Sequence, residues 1–280
     1  MQIPKLAVLI PCYNEELCIE KTCRRLLEVL EMLVEKGKIS SDSYIYCVDD
    51  GSNDSTWSII ERLHSETPLV KGATFVRNYG NQKALIAGLE GVRDLGCDCA
   101  VSIDADLQQD ELSIEQFVDE YQKGYDIVLG VRNDRKTDNF FKKITAIMFY
   151  KLMNILGSKI AMNHSDYRLV SKKALDMMDL YHEKSLFLRG FFHELGLKTT
   201  TVKFDVKPRF AGQSKFNFIS LMGLALNGIT SFSIVPLRII YGLGFVMALF
   251  GFLMGLETIF EKIFLNDSPN GVATMIILLC

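Results

Sequence analysis

No Cys-x-x-Cys pair, no His-Glu-x-x-His and no zinc-ribbon spacing occurs in this chain. That removes the structural-zinc and thioredoxin-type readings. The seven cysteines, Cys12, Cys18, Cys23, Cys47, Cys97, Cys99 and Cys280, are scattered and suit buried free thiols in a reducing compartment. Neither Gly-x-Gly-x-x-Gly after the first apolar run nor a Walker A sequence is present, so dinucleotide binding and P-loop hydrolysis are disfavoured. Positive charge is not in excess: 31 Lys+Arg stand against 34 Asp+Glu, a net charge of −3. Such a balance argues against binding a nucleic-acid backbone. The N-terminus lacks the long apolar stretch of a signal peptide, so the polar part of the chain is expected to stay in the cytoplasm.

What the chain does have is an uneven spread of apolar residues, most of the surplus lying late in the sequence. Phe216–Phe232 interleaves Phe, Leu, Met and Ile with Ser, Asn and Gly and reads as an amphipathic helix in the membrane interface. Ile239–Leu256 carries no charge and is long enough to span a bilayer. Arg209, Lys215 and Arg238 precede it, whereas Glu257, Glu261, Lys262 and Asp267 follow, so the positive-inside rule puts the preceding domain in the cytoplasm. A further apolar run from Val272 to Cys280 is too short to cross and reads as a second span cut short. The expected organisation is a cytoplasmic domain over 1–215, an interfacial helix over 216–233 and a multi-pass membrane region over 234–280. Gly251-x-x-x-Gly255 permits close helix packing and hence a homo-oligomer.

The polar part alternates apolar runs with amphipathic stretches. Leu6–Ile10, Tyr44–Val48, Ala73–Val76, Cys99–Ile103 and Ile127–Leu129 predict strands, with helices after Asn14, after Ser55 and over Ala84–Leu95. This pattern means an α/β domain with a mainly parallel sheet. In such sheets ligands bind beyond the carboxyl ends of the strands. Asn14/Glu15, Asp49/Asp50, Arg77/Asn78 and Asp104/Asp106 each follow a strand, so topology collects them along one edge.

The sharpest signal is Asp104-Ala105-Asp106-Leu107-Gln108. Two carboxylates one residue apart after a buried strand offer hard oxygen ligands to Mg²⁺ or Mn²⁺, which keep room for substrate phosphates. Together with Val8-Leu9-Ile10-Pro11-Cys12-Tyr13-Asn14-Glu15-Glu16, Val48-Asp49-Asp50-Gly51-Ser52-Asn53-Asp54-Ser55-Thr56 and Arg77-Asn78-Tyr79-Gly80-Asn81-Gln82-Lys83, it resembles glycosyltransferase family 2. The likeness is greatest to the polyprenyl-phosphate branch, which includes dolichyl-phosphate mannose synthases and bactoprenol glucosyltransferases. The resemblance implies a GT-A (Rossmann-like) fold, a nucleotide-sugar donor, a divalent metal and inversion at the anomeric carbon. By position it places Pro11, Tyr13, Glu15, Asp49 or Asp50, Lys83 and Ala105 around the donor, and Asp104, Asp106 and Gln108 around the metal. Arg77 and Lys83 suit either phosphate or surface carboxylates.

On the acceptor side the resemblance implies Arg132, Lys142, Lys143, Arg168 and the motif Arg209-Phe210-Ala211-Gly212-Gln213-Ser214-Lys215, whose Arg209, Ser214 and Lys215 can clasp phosphate. Asp166, in Asp166-Tyr167-Arg168, falls where the family brings a loop to the donor sugar. It is a base candidate, or else it contacts sugar hydroxyls or orders Arg168. A phosphate monoester, with a second pKa of about 6, is already nucleophilic at neutral pH, whereas an alcohol needs a base. The expected activity is transfer from a UDP-sugar to undecaprenyl or dolichyl phosphate at the membrane, with no nucleic-acid partner. Two rivals stand beside it: a relative that glycosylates a hydroxyl acceptor, and a silent nucleotide-sugar binder.

Overall fold

The computed structural model describes residues 3–133, 164–181, 188, 191–192, 195–207, 235–260 and 263–264. In chain order its elements are β1 (Leu6–Cys12), α1 (Ile19–Glu35), β2 (Tyr44–Asp49), α2 (Thr56–Glu66), β3 (Val70–Thr74), α3 (Asn81–Asp94) and β4 (Cys99–Ser102). A 3-10 turn (Glu111–Ser113) then leads into α4 (Ile114–Gln122), β5 (Ile127–Arg132), β6 (His164–Ser171), α5 (Lys172–Asp179), β7 (Thr199–Phe204) and α6 (Val235–Phe260). The strands form one sheet in the order β3-β2-β1-β4-β6-β5-β7. β1 pairs in parallel with β2 and β4, β2 with β3, and β5 with β7, while β6 runs antiparallel to β4 and β5.

β1 explains the layering. Its apolar run is continuous because helices cover both faces of a central parallel strand. Successive side chains point to opposite faces: Leu6, Val8 and Ile10 join one core with α1, α2 and α4 residues. Ala7 and Leu9 join the other with Leu85, Leu89 and Leu175. α1 is amphipathic, burying Ile19, Cys23, Leu26, Leu30 and Leu33 while Glu20 and Arg24 pair on its outer side. Burying each such Leu or Ile contributes roughly 1.5–3 kcal/mol. Cys12, Cys18, Cys23, Cys47, Cys97 and Cys99 are buried thiols outside any disulfide, and burial pushes the Cys99 thiol well above its ordinary range.

Three expectations are corrected. α1 begins at Ile19, not at Asn14: Asn14 sits at φ +51°, and its side-chain oxygen accepts the Asn53 N–H at 2.8 Å instead of capping a helix. β3 ends at Thr74, so Arg77 and Asn78 lie in the loop beyond it. Asp166-Tyr167-Arg168 is part of strand β6, not a loop, and Tyr167 is fully buried.

α6 exposes its apolar side chains, and Ile240–Phe260 is long and apolar enough to cross a membrane by length and composition. Gly251 and Gly255 lie on this helix. The expected interfacial helix, the run from Val272, and Lys142, Lys143, Arg209, Ser214 and Lys215 lie outside the described residues.

Candidate functional site

The sheet order reverses about β1, with β2 on one side and β4 on the other, and the crevice at such a switch point is where open α/β sheets bind ligands. The loops leaving β1 and β2 are fastened together there. The Asn14 N–H donates to Ser52 Oγ at 2.8 Å, and the Glu15 N–H donates to Thr56 Oγ1 at 2.8 Å. Glu16 Oε2 accepts the Ser55 N–H at 3.1 Å. Asp54 accepts the N–H of Thr56, the first residue of α2, at 3.0 Å. Backbone groups that would otherwise face the crevice unpaired are thus satisfied by the opposite loop.

Asp49 and Asp50 are 1% and 2% exposed. Asp49 accepts hydrogen bonds from the Ser52 hydroxyl on one oxygen and from Thr74 Oγ1, at 2.7 Å, on the other. Asp50 accepts the backbone N–H groups of Tyr79 (2.7 Å) and Gly80 (2.8 Å). Burial raises the Asp50 pKa despite those bonds. Asp49 or Asp50 was expected around the donor; in the structure both carboxylates brace the segments that follow β2 and β3. Between them and the loop after β3, Gly51 has φ +66°, and a Cβ there would lie 2.4 Å from the Arg77 carbonyl carbon. Gly51→Ala is therefore expected to destabilise the domain by at least about 1–3 kcal/mol from backbone strain alone, read as a lowered urea midpoint with unchanged slope. Arg77 and Lys83 lie over the Tyr79 ring, at 4.8 and 5.6 Å from its centroid. Neither is ion-paired among the described residues. Pro11 and Tyr13 are partly exposed at the end of β1, and Arg132 is exposed at the end of β5.

The loop after β4 is held at Asp104, Ala105, Asp106 and Gln108. Gln109, 2% exposed, clamps Asp104 from both ends. Its Oε1 accepts the Asp104 N–H at 3.0 Å, and its Nε2 donates to Asp104 Oδ2 at 2.7 Å. The Ala105 carbonyl accepts the buried Thr22 hydroxyl at 2.7 Å. Asp106, 8% exposed, accepts the Gln108 N–H at 3.0 Å across a Leu107 with φ +54°. This Asx-type turn places Asp106 and Gln108 on one short loop with Asp104. Among the described residues no three His, Cys, Asp or Glu groups cluster into a metal cage. Two carboxylates and a carboxamide oxygen instead suit a hard divalent ion that takes its other ligands from phosphate and water. Gln109 was missed from the sequence because nothing in a second glutamine marks it as a clamp; only its place beside the Asp-x-Asp loop could have flagged it.

Arg168 departs from expectation. Placed by resemblance at the acceptor phosphate, its side chain is 3% exposed. Its guanidinium donates to Asp166 Oδ1 at 2.7 Å and to the Leu188 carbonyl at 3.1 Å, and lies 5.5 Å from the Phe192 ring centroid. A buried charge requires such partners, so Arg168 serves the fold and orients Asp166. Of the alternatives open for Asp166, the contact to Arg168 is present.

Residues 7–178 match the model of "Glycosyl transferase family 2". The chain is 43% identical to "Uncharacterized glycosyltransferase YkoT" of Bacillus subtilis, covering 98% of this chain and 81% of the relative. It is 38% identical to "Prophage bactoprenol glucosyl transferase homolog" of Escherichia coli, covering 98% and 87%. It is 37% identical to "Bactoprenol glucosyl transferase" of Shigella phage SfX, with the same coverage. Among solved structures, glucosyl-3-phosphoglycerate synthase from Mycobacterium tuberculosis in complex with phosphoglyceric acid superimposes with a TM-score of 0.55 at 19% identity, covering 82% of this chain and 80% of that one. At that identity the likeness concerns the fold, a GT-A-like mixed sheet. The chain belongs to glycosyltransferase family 2 and is a glycosyltransferase.

Proposed function

We propose that the protein is a membrane-anchored, inverting, metal-dependent glycosyltransferase. It moves one sugar from a UDP-sugar to polyprenyl phosphate on the cytoplasmic face of the membrane. The observation that carries this reading is the clamped Asp104–Asp106–Gln108 loop at the switch point of the sheet. The names of the relatives from Escherichia coli and Shigella phage support a bactoprenol acceptor and a glucosyl donor. The proposed organisation is a catalytic domain over 1–215, an interfacial helix over 216–233 and a membrane region over 234–280, in which Ile240–Phe260 spans.

In this reading Pro11, Tyr13, Glu15 and Lys83 line the donor pocket, Tyr13 and Glu15 on the loop fastened by Ser52 and Thr56 and Lys83 in the first turn of α3, just after the segment that Asp50 holds. Asp104, Asp106 and Gln108 would hold Mg²⁺ or Mn²⁺, which when bound would supply positive charge to a departing diphosphate. An acceptor phosphate oxygen bonds to the anomeric carbon as the bond from that carbon to the donor phosphate oxygen breaks. Nucleoside diphosphate leaves, and a single displacement inverts the configuration. The dianionic acceptor needs no protein base; it needs cations and alignment, which Arg132, Lys142, Lys143, Arg209, Ser214 and Lys215 supply.

Arg209→Ala and Lys215→Ala are each expected to lose about 1.5–3 kcal/mol of acceptor binding, the worth of a hydrogen bond to a charged group. The donor KM should stay put. Titrating undecaprenyl phosphate at fixed donor measures this, and an unchanged acceptor KM in both variants would remove the phosphate reading.

A further inference from the structure

The segment leaving β7 is tied to the loop after β4 at four points. Gln109 and Val206 form an antiparallel bridge. The Lys207 N–H donates to the Gln108 carbonyl at 2.8 Å. Lys207 Nζ lies 2.8 Å from Asp110 Oδ1 and 2.8 Å from Glu111 Oε2. The Glu111 side chain is 7% exposed, and Arg25 Nε reaches its other oxygen at 3.0 Å. Burial would raise the Glu111 pKa, but Lys207 and Arg25 hold it below its ordinary value. The Asp110 carbonyl is fixed in turn by the Tyr167 hydroxyl at 2.9 Å.

Gln109 is therefore a shared node. Its side chain holds Asp104, and its backbone pairs with the strand end that leads into the Arg209 motif. Lys207 also precedes Pro208, which restricts its backbone to extended conformations. The lysine side chain is 43% exposed, so solvent screens part of its attraction to the two carboxylates. Charge compensation of the buried Glu111 is shared with Arg25 and by itself would not require the backbone bond and the second carboxylate that fix Lys207 on this loop. Alignment would, since a displacement of about 1 Å at reacting groups can cost about a hundredfold in rate.

We propose that Lys207 is a positioning residue for the acceptor: it holds the chain entering the 209–216 motif in register with the loop bearing Asp104 and Asp106. This rests on the reading that the motif binds the acceptor.

The test uses the full chain in lipid nanodiscs, with undecaprenyl phosphate and the UDP-sugar that a donor panel shows to turn over. Lys207→Met keeps the stem and removes the charge; Lys207→Arg restores it. In Lys207→Met the acceptor KM should rise roughly ten- to a hundredfold, while the donor KM and the slow transfer of sugar to water stay constant. Lys207→Arg should recover most of the loss. Amide exchange should quicken over 108–111 and 206–207, with a small fall in melting temperature from the loss of one of the two cations on Glu111. An unchanged acceptor KM in Lys207→Met overturns the proposal, even where exchange quickens. So does an equal rise in both KM values that arginine does not rescue. Should the wild type glycosylate a lipid hydroxyl and not undecaprenyl phosphate, the phosphate reading fails alone. The same variants measured with that hydroxyl acceptor then decide the role of Lys207.

Discussion

Asp106→Asn is expected to lower turnover by about 10²–10³, the usual consequence of removing a preorganised electrostatic group from a reaction centre. The variant is a clean one because asparagine keeps the oxygen that accepts the Gln108 N–H at 3.0 Å. The turn and the fold are retained while the negative charge goes. Asp104→Asn should do the same, since its remaining side-chain oxygen can still accept from Gln109 Nε2. Excess chelator should abolish wild-type activity, and Mg²⁺ or Mn²⁺ should restore it. Initial rates at saturating donor measure all three; full activity of either variant in chelator would contradict the metal assignment.

Asp166→Ala is expected to destabilise the domain by about 3–5 kcal/mol, because it strips the counter-ion from a buried guanidinium. The Leu188 carbonyl and the Phe192 ring are neutral and do not replace the carboxylate. Asp166→Asn, which preserves an acceptor oxygen, should cost less. Asp166→Ala/Arg168→Met should recover part of the loss, because no unpaired charge remains in the core. Urea unfolding followed through Trp57, the single tryptophan, reports the difference, and strictly additive single-variant losses would refute the coupling. In the same series Asp166→Asn should slow transfer but leave the rise in rate near pH 6, where the acceptor phosphate ionises.

The elements built from local apolar runs were legible in the sequence. β1, β2 and β4 announce themselves because central parallel strands are buried on both faces, and α1 because its apolar residues recur at helical spacing. The polar clusters after these strands were placed at one edge by topology before any contact was known. β6 was not legible. Its sequence, His164 to Ser171, is mostly polar, and its burial depends on Arg168 finding Asp166 and the Leu188 carbonyl, partners that composition does not reveal. Asn14 misled for a related reason: a good helix cap by residue type, it is taken instead by the Asn53 N–H, 39 positions away. Asp49 and Asp50 stand out in the sequence as a carboxylate pair directly after a buried strand. Their bracing contacts run to Thr74, Tyr79 and Gly80 on a neighbouring segment, and only the fold brings those together.

The central claim is that the sugar is joined to a lipid phosphate. The measurement that meets it most directly is mass analysis of the lipid product formed by the purified full chain from a UDP-sugar panel. Undecaprenyl phosphate and undecaprenol would be offered in equal amounts. The expected product is undecaprenyl phosphate bearing one hexose through a phosphodiester, of inverted anomeric configuration, with undecaprenol untouched. A product in which the sugar sits on the lipid hydroxyl, with undecaprenyl phosphate unchanged, would contradict the account.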